Sequence, residues 1–326
     1  MRGDKLGFIA ALLAVWFLQK PANAFMGFDP GEMIPIPKQA SNAISKLDEV
    51  KSSIQQLKEA KDAIGDEVNG FAEFAKDISV DPENLKIAAN NINNKVKNNV
   101  DNIITAQNKI NDVLSFAKKT QEDLADEIVQ ETEQTIALSE SPTQVKENLD
   151  IKFTDIKAVG MQLATGVNDV FDTALNTLNQ NAENNHNRLE TLNARIASNK
   201  KIGESAKKTL LAQDLKSLEQ ETSDTGISII EKAHTQYNKD YKENFSDELN
   251  NYHKVVLAYA NGSADKSAVV NAGKQFKLAV SNINSSMDAA VIEAYKKQAS
   301  TFKGKLDATT KNIIQHLEKE SDVRRI

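Results

Sequence analysis

The stretch ASNAISKLDEVKSSIQQLKEAKDAIGDEVNGFAEFAKDI, from Ala40 to Ile78, predicts the fold of this chain most clearly. Its apolar residues recur in two registers of seven, alternately three and four residues apart, and only Lys61 departs from the pattern. This spacing places one narrow apolar stripe along a helix, and such a stripe is buried only against other helices. The stretch therefore predicts a bundle or coiled-coil helix of roughly 58 Å. The two registers are Ala40, Leu47, Ile54, Lys61, Val68 and Ala75, and Ala43, Val50, Leu57, Ile64, Phe71 and Ile78.

Similar stripes continue along the chain, separated by residues that start helices. Asp81 and Ser141 are good N-caps, and Pro82 and Pro142 suit the first helical position after each cap. The second stripe contains two polar residues at seam positions, Asn99 and Thr120, which are expected to fix the register of packing. The sequence therefore predicts an all-α, elongated bundle of long antiparallel helices with a C-terminal helical part. The second stripe consists of Ala89, Val96, Ile103, Ile110, Ala117 and Leu124, with Ile92, Ala106 and Val113 three residues on.

Four features of the later chain bear on its organisation. The asparagine-rich stretch 176–187 predicts either a weak, solvated part of a long helix or a bend, and the stretch 223–226 predicts a helix break. An aromatic stripe from Tyr237 to Tyr259 is either core or an exposed surface for a partner or a carbohydrate. A last helical stretch runs from Val269 to Leu317. We expect a signal peptide (1–24), an extended segment (25–39), a long helical bundle (40–222) and a C-terminal helical region (223–326).

Composition excludes several classes of function. The 326 residues carry a net charge of −6 with the two signs interspersed, so the chain lacks the basic face that nucleic-acid binding needs. The chain contains no cysteine, which excludes disulfides, thiol catalysis and cysteine-ligated zinc. We therefore expect protein partners and no nucleic acid.

The N-terminus has the features of a secretory signal peptide. Arg2 and Lys5 precede a thirteen-residue apolar run from Leu6 to Leu18, and Ala22-Asn23-Ala24 matches a cleavage site. The alternative is an uncleaved membrane anchor, although the run is shorter than the roughly 20 residues that a spanning helix needs. We expect an exported protein in the periplasm or at the cell surface, with no stable membrane span after signal cleavage.

The residues after the signal differ in kind from the helical stripes. Prolines follow Ile34 and Ile36 and disfavour helix at both, so this segment is expected to be extended. The apolar side chains suggest a docking arm for a partner subunit, and the alternative is a lead-in that packs on its own bundle. The candidate partner-binding residues are Phe25, Met26, Phe28, Ile34 and Ile36.

Motifs of catalysis are scarce. The sequence contains no P-loop, GxGxxG, GxSxG or HExxH motif. The pairs Glu183/His186 and Glu231/His234 have the Glu-x-x-His spacing of di-iron bundle sites, but such a site also needs inward-facing glutamates from two other helices. We interpret them as solvated surface pairs. The sequence therefore predicts no catalytic residues, no cofactor and no metal site, and hence no enzyme.

The N-terminal third resembles the minor-pilin proteins of bacterial type IV secretion and conjugation systems. The resembling parts are the export signal, the lead Phe28-Asp29-Pro30 and the seam helix from Ala40 to Lys58; Arg188–Ile196 and Asp214-Leu215 resemble a later helix of that family. The resemblance implies a helical bundle that acts without catalysis in pilus assembly and contact with recipient cells. Residues beyond about 223 would be an addition to the family.

Three hypotheses about function follow. The first is an exported structural or adhesive component of a type IV secretion or conjugation apparatus, whose partners are apparatus or pilus subunits and the recipient-cell surface. The second is a secreted helical toxin or effector that rearranges at a membrane, and the third is a generic periplasmic coiled-coil scaffold. Assembly into a homo-oligomer is compatible with each.

Overall fold

The computed structural model describes residues 82–139, 142–198, 203–204, 207–208 and 215–322. The predicted signal peptide, the predicted extended segment with its five candidate partner-binding residues, and the Ala40–Ile78 stripe lie outside this range. Within it there is no strand, and the predicted all-α bundle is confirmed. The helices are α1 (Pro82–Leu138), α2 (Pro142–Ser198), α3 (Leu215–Asp240), a π-helical segment (Tyr241–Ser246), α4 (Asp247–Ala260), α5 (Lys266–Ser281) and α6 (Ala289–Asp322).

These helices form four rods of a bundle. The first two rods are α1 and α2, which contain 57 residues each and are therefore roughly 85 Å long. The third rod is α3, the π segment and α4, which follow one another without a break from residue 215 to residue 260. The fourth rod is α5 followed by α6, and residues 282–288 between them are not helical.

Contacts between rods establish that neighbours run antiparallel. Along the fourth rod, Lys277 pairs with Asp126 of α1, and much later Asp307 pairs with Lys97, so residue numbers rise on one rod as they fall on the other. The third rod shows the same order against α2, where Lys216 pairs with Glu190 and His253 with Asp150. The rods α1 and α3 also contact each other across the bundle, in parallel.

Two apolar cores are stacked along the bundle. The first core joins the N-terminal part of α1, the C-terminal part of α2, α3 and α6. The second core joins the C-terminal part of α1, the N-terminal part of α2, α4 and α5. All nine predicted seam residues of α1 are buried, most of them in the first core, because their spacing keeps them on one face of the helix.

The predicted helix starts at Pro82 and Pro142 are confirmed. A turn follows α4, and Gly262 adopts a positive φ of 73° there, a conformation that glycine takes without steric cost. Asp265 then caps α5 by accepting a hydrogen bond from the Ala268 N–H at 2.8 Å.

Two expectations about continuity were wrong. The predicted break at residues 223–226 does not occur, because α3 runs through it and Gly226 lies inside the helix against Tyr295. The last helical stretch is interrupted, since residues 282–288 separate α5 from α6. The asparagine-rich stretch is continuous helix, and it turns Asn181 and Asn185 into the interior.

Candidate functional site

The side chains proposed from the sequence fall into two groups. Phe25, Met26, Phe28, Ile34 and Ile36 lie outside the described residues, and their role as a docking arm stays a prediction. The aromatic stripe of the third rod is described, and its core interpretation is confirmed, since Tyr237, Phe245, Leu249, Tyr252 and Val256 are all buried.

The two Glu-x-x-His pairs are not brought together with further acidic residues. Glu183 and Glu231 are exposed, whereas His186 and His234 are half-buried. Among the described residues, no group of three or more histidine, aspartate and glutamate side chains is arranged to hold a metal ion. His234 instead turns towards α2, where its Nε2 lies 2.7 Å from Asn168 Oδ1 and its ring stacks on Phe171.

His253 repeats this arrangement further along the same rod pair. Its ring stacks on Phe153, with 4.3 Å between centroids, and its Nε2 lies 2.8 Å from Asp150 Oδ1. Its Nδ1 lies 3.2 Å from Lys157 Nζ, which can only donate, so the neutral ring accepts there and donates from Nε2 to Asp150. Burial lowers the pKa of His253 and Lys157 adds to this, against the opposing effect of Asp150. The rings of His234 and His253 therefore hold α2 to the third rod in their neutral forms.

A buried polar cluster crosses the first core. Glu219 of α3 is 1% exposed, and its Oε1 accepts a hydrogen bond from Ser223 Oγ at 3.0 Å. Asn99 of α1 donates to the same hydroxyl at 3.3 Å. Desolvation raises the pKa of the Glu219 carboxyl to about 7, and Asp224 adds to the rise against the opposing hydrogen bond from Ser223. Glu219 can therefore change its protonation near neutral pH from inside the bundle.

Gly226 allows α3, α1 and α6 to approach one another closely beside this cluster. A Cβ at position 226 would overlap the ring of Tyr295 and lie 2.6 Å from Ile103 Cγ2. The carbonyl of Gly226 accepts a hydrogen bond from Gln107 Nε2 at 3.0 Å. The Tyr295 hydroxyl is buried and finds no hydrogen-bond partner among the described residues. The absence of a side chain at position 226 thus lets a tyrosine fill the middle of the core.

A second polar level lies between the two cores. Asp240, at the end of α3, is 5% exposed. Its carboxylate accepts from Gln236 Nε2 at 2.8 Å, from Asn244 Nδ2 at 3.4 Å, and from both the backbone N–H and the side-chain amide of Asn284 at 3.1 and 3.0 Å. Asn284 belongs to the non-helical residues of the fourth rod, so one carboxylate joins the π segment to that interruption.

Side chains of α1 also bond to the backbone at the non-helical residues 282–288 and at the end of α5. Asn111 Oδ1 accepts from the Met287 N–H, Ser115 Oγ donates to the Ser285 carbonyl, and Lys118 Nζ donates to the Ser281 carbonyl, each at 2.8 Å. Backbone groups that have lost helical partners are thereby satisfied. Beside them, the amide of Gln121 on α1 is fully buried and finds no partner among the described residues.

An open groove of about 450 Å³ lies between α3 and α6. Its lining includes Leu218 of α3 and, from α6, Phe302, Lys297 and Lys305. No cluster of catalytic side chains accompanies it among the described residues, and it has the character of a shallow helix–helix groove.

The positions of the two buried carboxylates could have been inferred from the sequence, because each lies at helical spacing from residues of an apolar stripe. Glu219 lies four residues after the buried Leu215 and seven before Gly226, so it occupies an inward position of the α3 face. Asp240 lies three residues after the buried Tyr237 and is inward for the same reason. A charged residue on the inward face of an amphipathic helix is therefore the feature of the sequence that indicates a buried polar group.

Comparisons with known proteins identify no relative. No protein-family model matches the chain, and neither a curated protein nor a solved structure is significantly similar to it. Among the described residues, no helix is both long enough and apolar enough to cross a membrane.

Proposed function

We propose that the chain is an exported, non-enzymatic structural component that acts through contacts with other proteins, as a subunit of a type IV secretion or conjugation apparatus. The observation that carries the proposal is the pairing of two 57-residue helices along their length, with apolar seams filled by side chains from the other rods. Such a scaffold fixes the distance between its two ends, which is a property that assembly subunits use.

The interior of the bundle supports this proposal. Some of its polar side chains bond across rods, as Asn99 does with Ser223 and Asp240 does with Asn284, and these pairs help to determine how the helices align. Polar groups at helix seams specify register at some cost in stability. A protein that acts by shape benefits from one fixed alignment.

Contact with partners is assigned to the N-terminal segment. Phe25, Met26, Phe28, Ile34 and Ile36 are apolar residues in a segment whose prolines keep it extended, which suits docking on another subunit. Export by the signal of residues 1–24 places this segment at the N-terminus of the mature chain.

Deletion of residues 25–37 tests the proposal in cells that encode the chain. The shortened protein should be exported and as helical as the full chain by circular dichroism, but it should fail to co-sediment with apparatus subunits, and transfer of a conjugative plasmid should fall to the level of a strain lacking the protein. A control chain in which a glycine-serine linker of equal length replaces the segment separates the loss of these side chains from the loss of length.

Two results would reject the proposal. One is wild-type transfer in a strain that lacks the whole chain. The other is retention of the chain in the cytoplasm, which would also remove the basis for the signal peptide.

A further inference from the structure

The first and second cores meet at one level of the bundle, where each rod carries a feature that differs from the regular apolar helix on either side. On α1 this level contains the buried polar pair Thr120 and Gln121, which separates the apolar residues of the first core from those of the second. On α2 it contains Gly160, whose missing side chain makes room for the ring of Phe245. The third rod is π-helical there, and the fourth rod is not helical at residues 282–288. The apolar interior is therefore interrupted where two of its rods are irregular.

The two irregular points bound one structural unit. Helices α4 and α5 form a hairpin closed by the turn at Gly262, and its two stems end at the π segment and at the interruption of the fourth rod. Inside the hairpin, the rings of Tyr252 and Phe276 stack with 6.1 Å between centroids. Both α1 and α2 pass this level as continuous helices, so the hairpin is the part whose two connections both lie at irregular backbone.

Hydrogen bonds of side chains, rather than of helices, hold the two connections together. Asp240 accepts two bonds from Asn284, and Asn111, Ser115 and Lys118 hold the neighbouring backbone. A π segment is a point at which a helix bends. Charge-assisted bonds are the strongest members of such a set, and here they are those of Asp240 and Lys118. Only the bonds of Asp240 join the two connections to each other.

We propose that the α4–α5 hairpin is a hinged unit, which undocks from the α1–α2 pair about the π segment and residues 282–288. The Asp240–Asn284 hydrogen bonds, which tie the two hinge points together, are its latch, and the His253–Asp150 and Lys277–Asp126 contacts break when it undocks. Undocking would expose the apolar face of the hairpin that the second core now buries, including Leu249, Val256 and Val269, while the first core stays packed. Such a unit is a conformational device that the function proposed above does not require.

Hydrogen exchange of the full chain, followed by mass spectrometry, tests the latch. Asp240→Asn removes the charge, and its amide NH2 must face either the Asn284 donors at the position of Oδ2 or the Gln236 and Asn244 donors at the position of Oδ1. Amides of α4 and α5 should therefore exchange at least about tenfold faster, the change expected when bonds to a charged group are lost or weakened. Amides of α6 and of α1 before residue 117 should be unchanged. The control Glu243→Gln removes an exposed charge from the same π segment and should leave every rate unchanged.

Asn284→Ala gives the same readout if Asp240→Asn does not fold. It removes the side-chain donor and keeps the backbone donor, and it should accelerate α4 and α5 selectively but by less. Equal acceleration of both cores, or unchanged rates in α4 and α5, would overturn the proposal.

A cross-link provides the converse test, because the chain has no cysteine of its own. Asp126 of α1 and Lys277 of α5 are exposed and paired at 2.6 Å, so Asp126→Cys with Lys277→Cys can be joined by a short thiol-reactive linker. Linked in the Asp240→Asn background, the hairpin should return to wild-type exchange rates, whereas the unlinked variant should not. Continued fast exchange in the linked protein would show that the hairpin does not move as a unit.

Discussion

At the scale of single residues, burial of the Glu219 carboxyl makes the stability of the bundle depend on pH. Its pKa is raised from 4.5 to about 7 in the folded chain. Between these values the folded chain keeps a proton that the unfolded chain has lost, so the free energy of unfolding falls as pH rises from about 4.5 to about 7. Glu219→Gln keeps an acceptor for Ser223 without the charge, and should stabilise the protein by about 3 kcal/mol at pH 8 and hardly at all at pH 4.

Urea unfolding at pH 4 and pH 8 measures this difference. Glu231→Gln, an exposed position on the same helix, is the matched control and should change neither value. An equal effect of Glu219→Gln at both pH values would show that the carboxyl is not desolvated as its position implies.

His253 acts on stability in the opposite direction. Its pKa is lowered below 6.5, so the unfolded chain binds a proton more readily, and the free energy of unfolding falls as pH drops through that region. His253→Gln retains a donor for Asp150 but does not titrate, and should therefore lose less stability than the wild-type chain between pH 7.5 and pH 5. The two chains are compared by urea midpoint at each pH, and a larger loss in the variant would contradict the assignment.

At the scale of elements, the close approach of α3 to α1 and α6 depends on Gly226. Gly226→Ala adds a methyl group that overlaps Tyr295 and Ile103, and overpacking of this kind costs about 1–3 kcal/mol. Gly304→Ala in α6 is the control, since a Cβ there would meet nothing within 4 Å and alanine favours helix by about 1 kcal/mol. The melting temperature should fall in Gly226→Ala and rise in Gly304→Ala. A higher melting temperature in Gly226→Ala would show that the core has room for a methyl group there.

Elements were predictable to the extent that their signals are local. The α1 seam and the starts at Pro82 and Pro142 follow from spacing and capping within a few residues, and the structure has them in place. The π segment and residues 282–288 depend on bonds between Asp240 and Asn284, which are 44 positions apart and carry no local pattern. The sequence predicts a helix break at Gly226, and that prediction is wrong because the ring of Tyr295, which requires a glycine at this position, lies on another helix.

At the scale of the whole molecule, the Ala40–Ile78 stripe needs an apolar partner surface, because its seam residues have no other means of leaving water. Leu57→Asp combined with Ile64→Asp would place two charges in that seam, and a buried unpaired charge costs several kcal/mol. The double variant of the full chain should therefore lose helical signal and melt at a lower temperature. Gln55→Asp combined with Lys58→Asp is the control, because both positions lie off the seam of the same predicted helix. If the seam variant kept the wild-type helicity and melting temperature, Leu57 and Ile64 would not be packed, and the stripe that predicts a bundle helix would have no structural role.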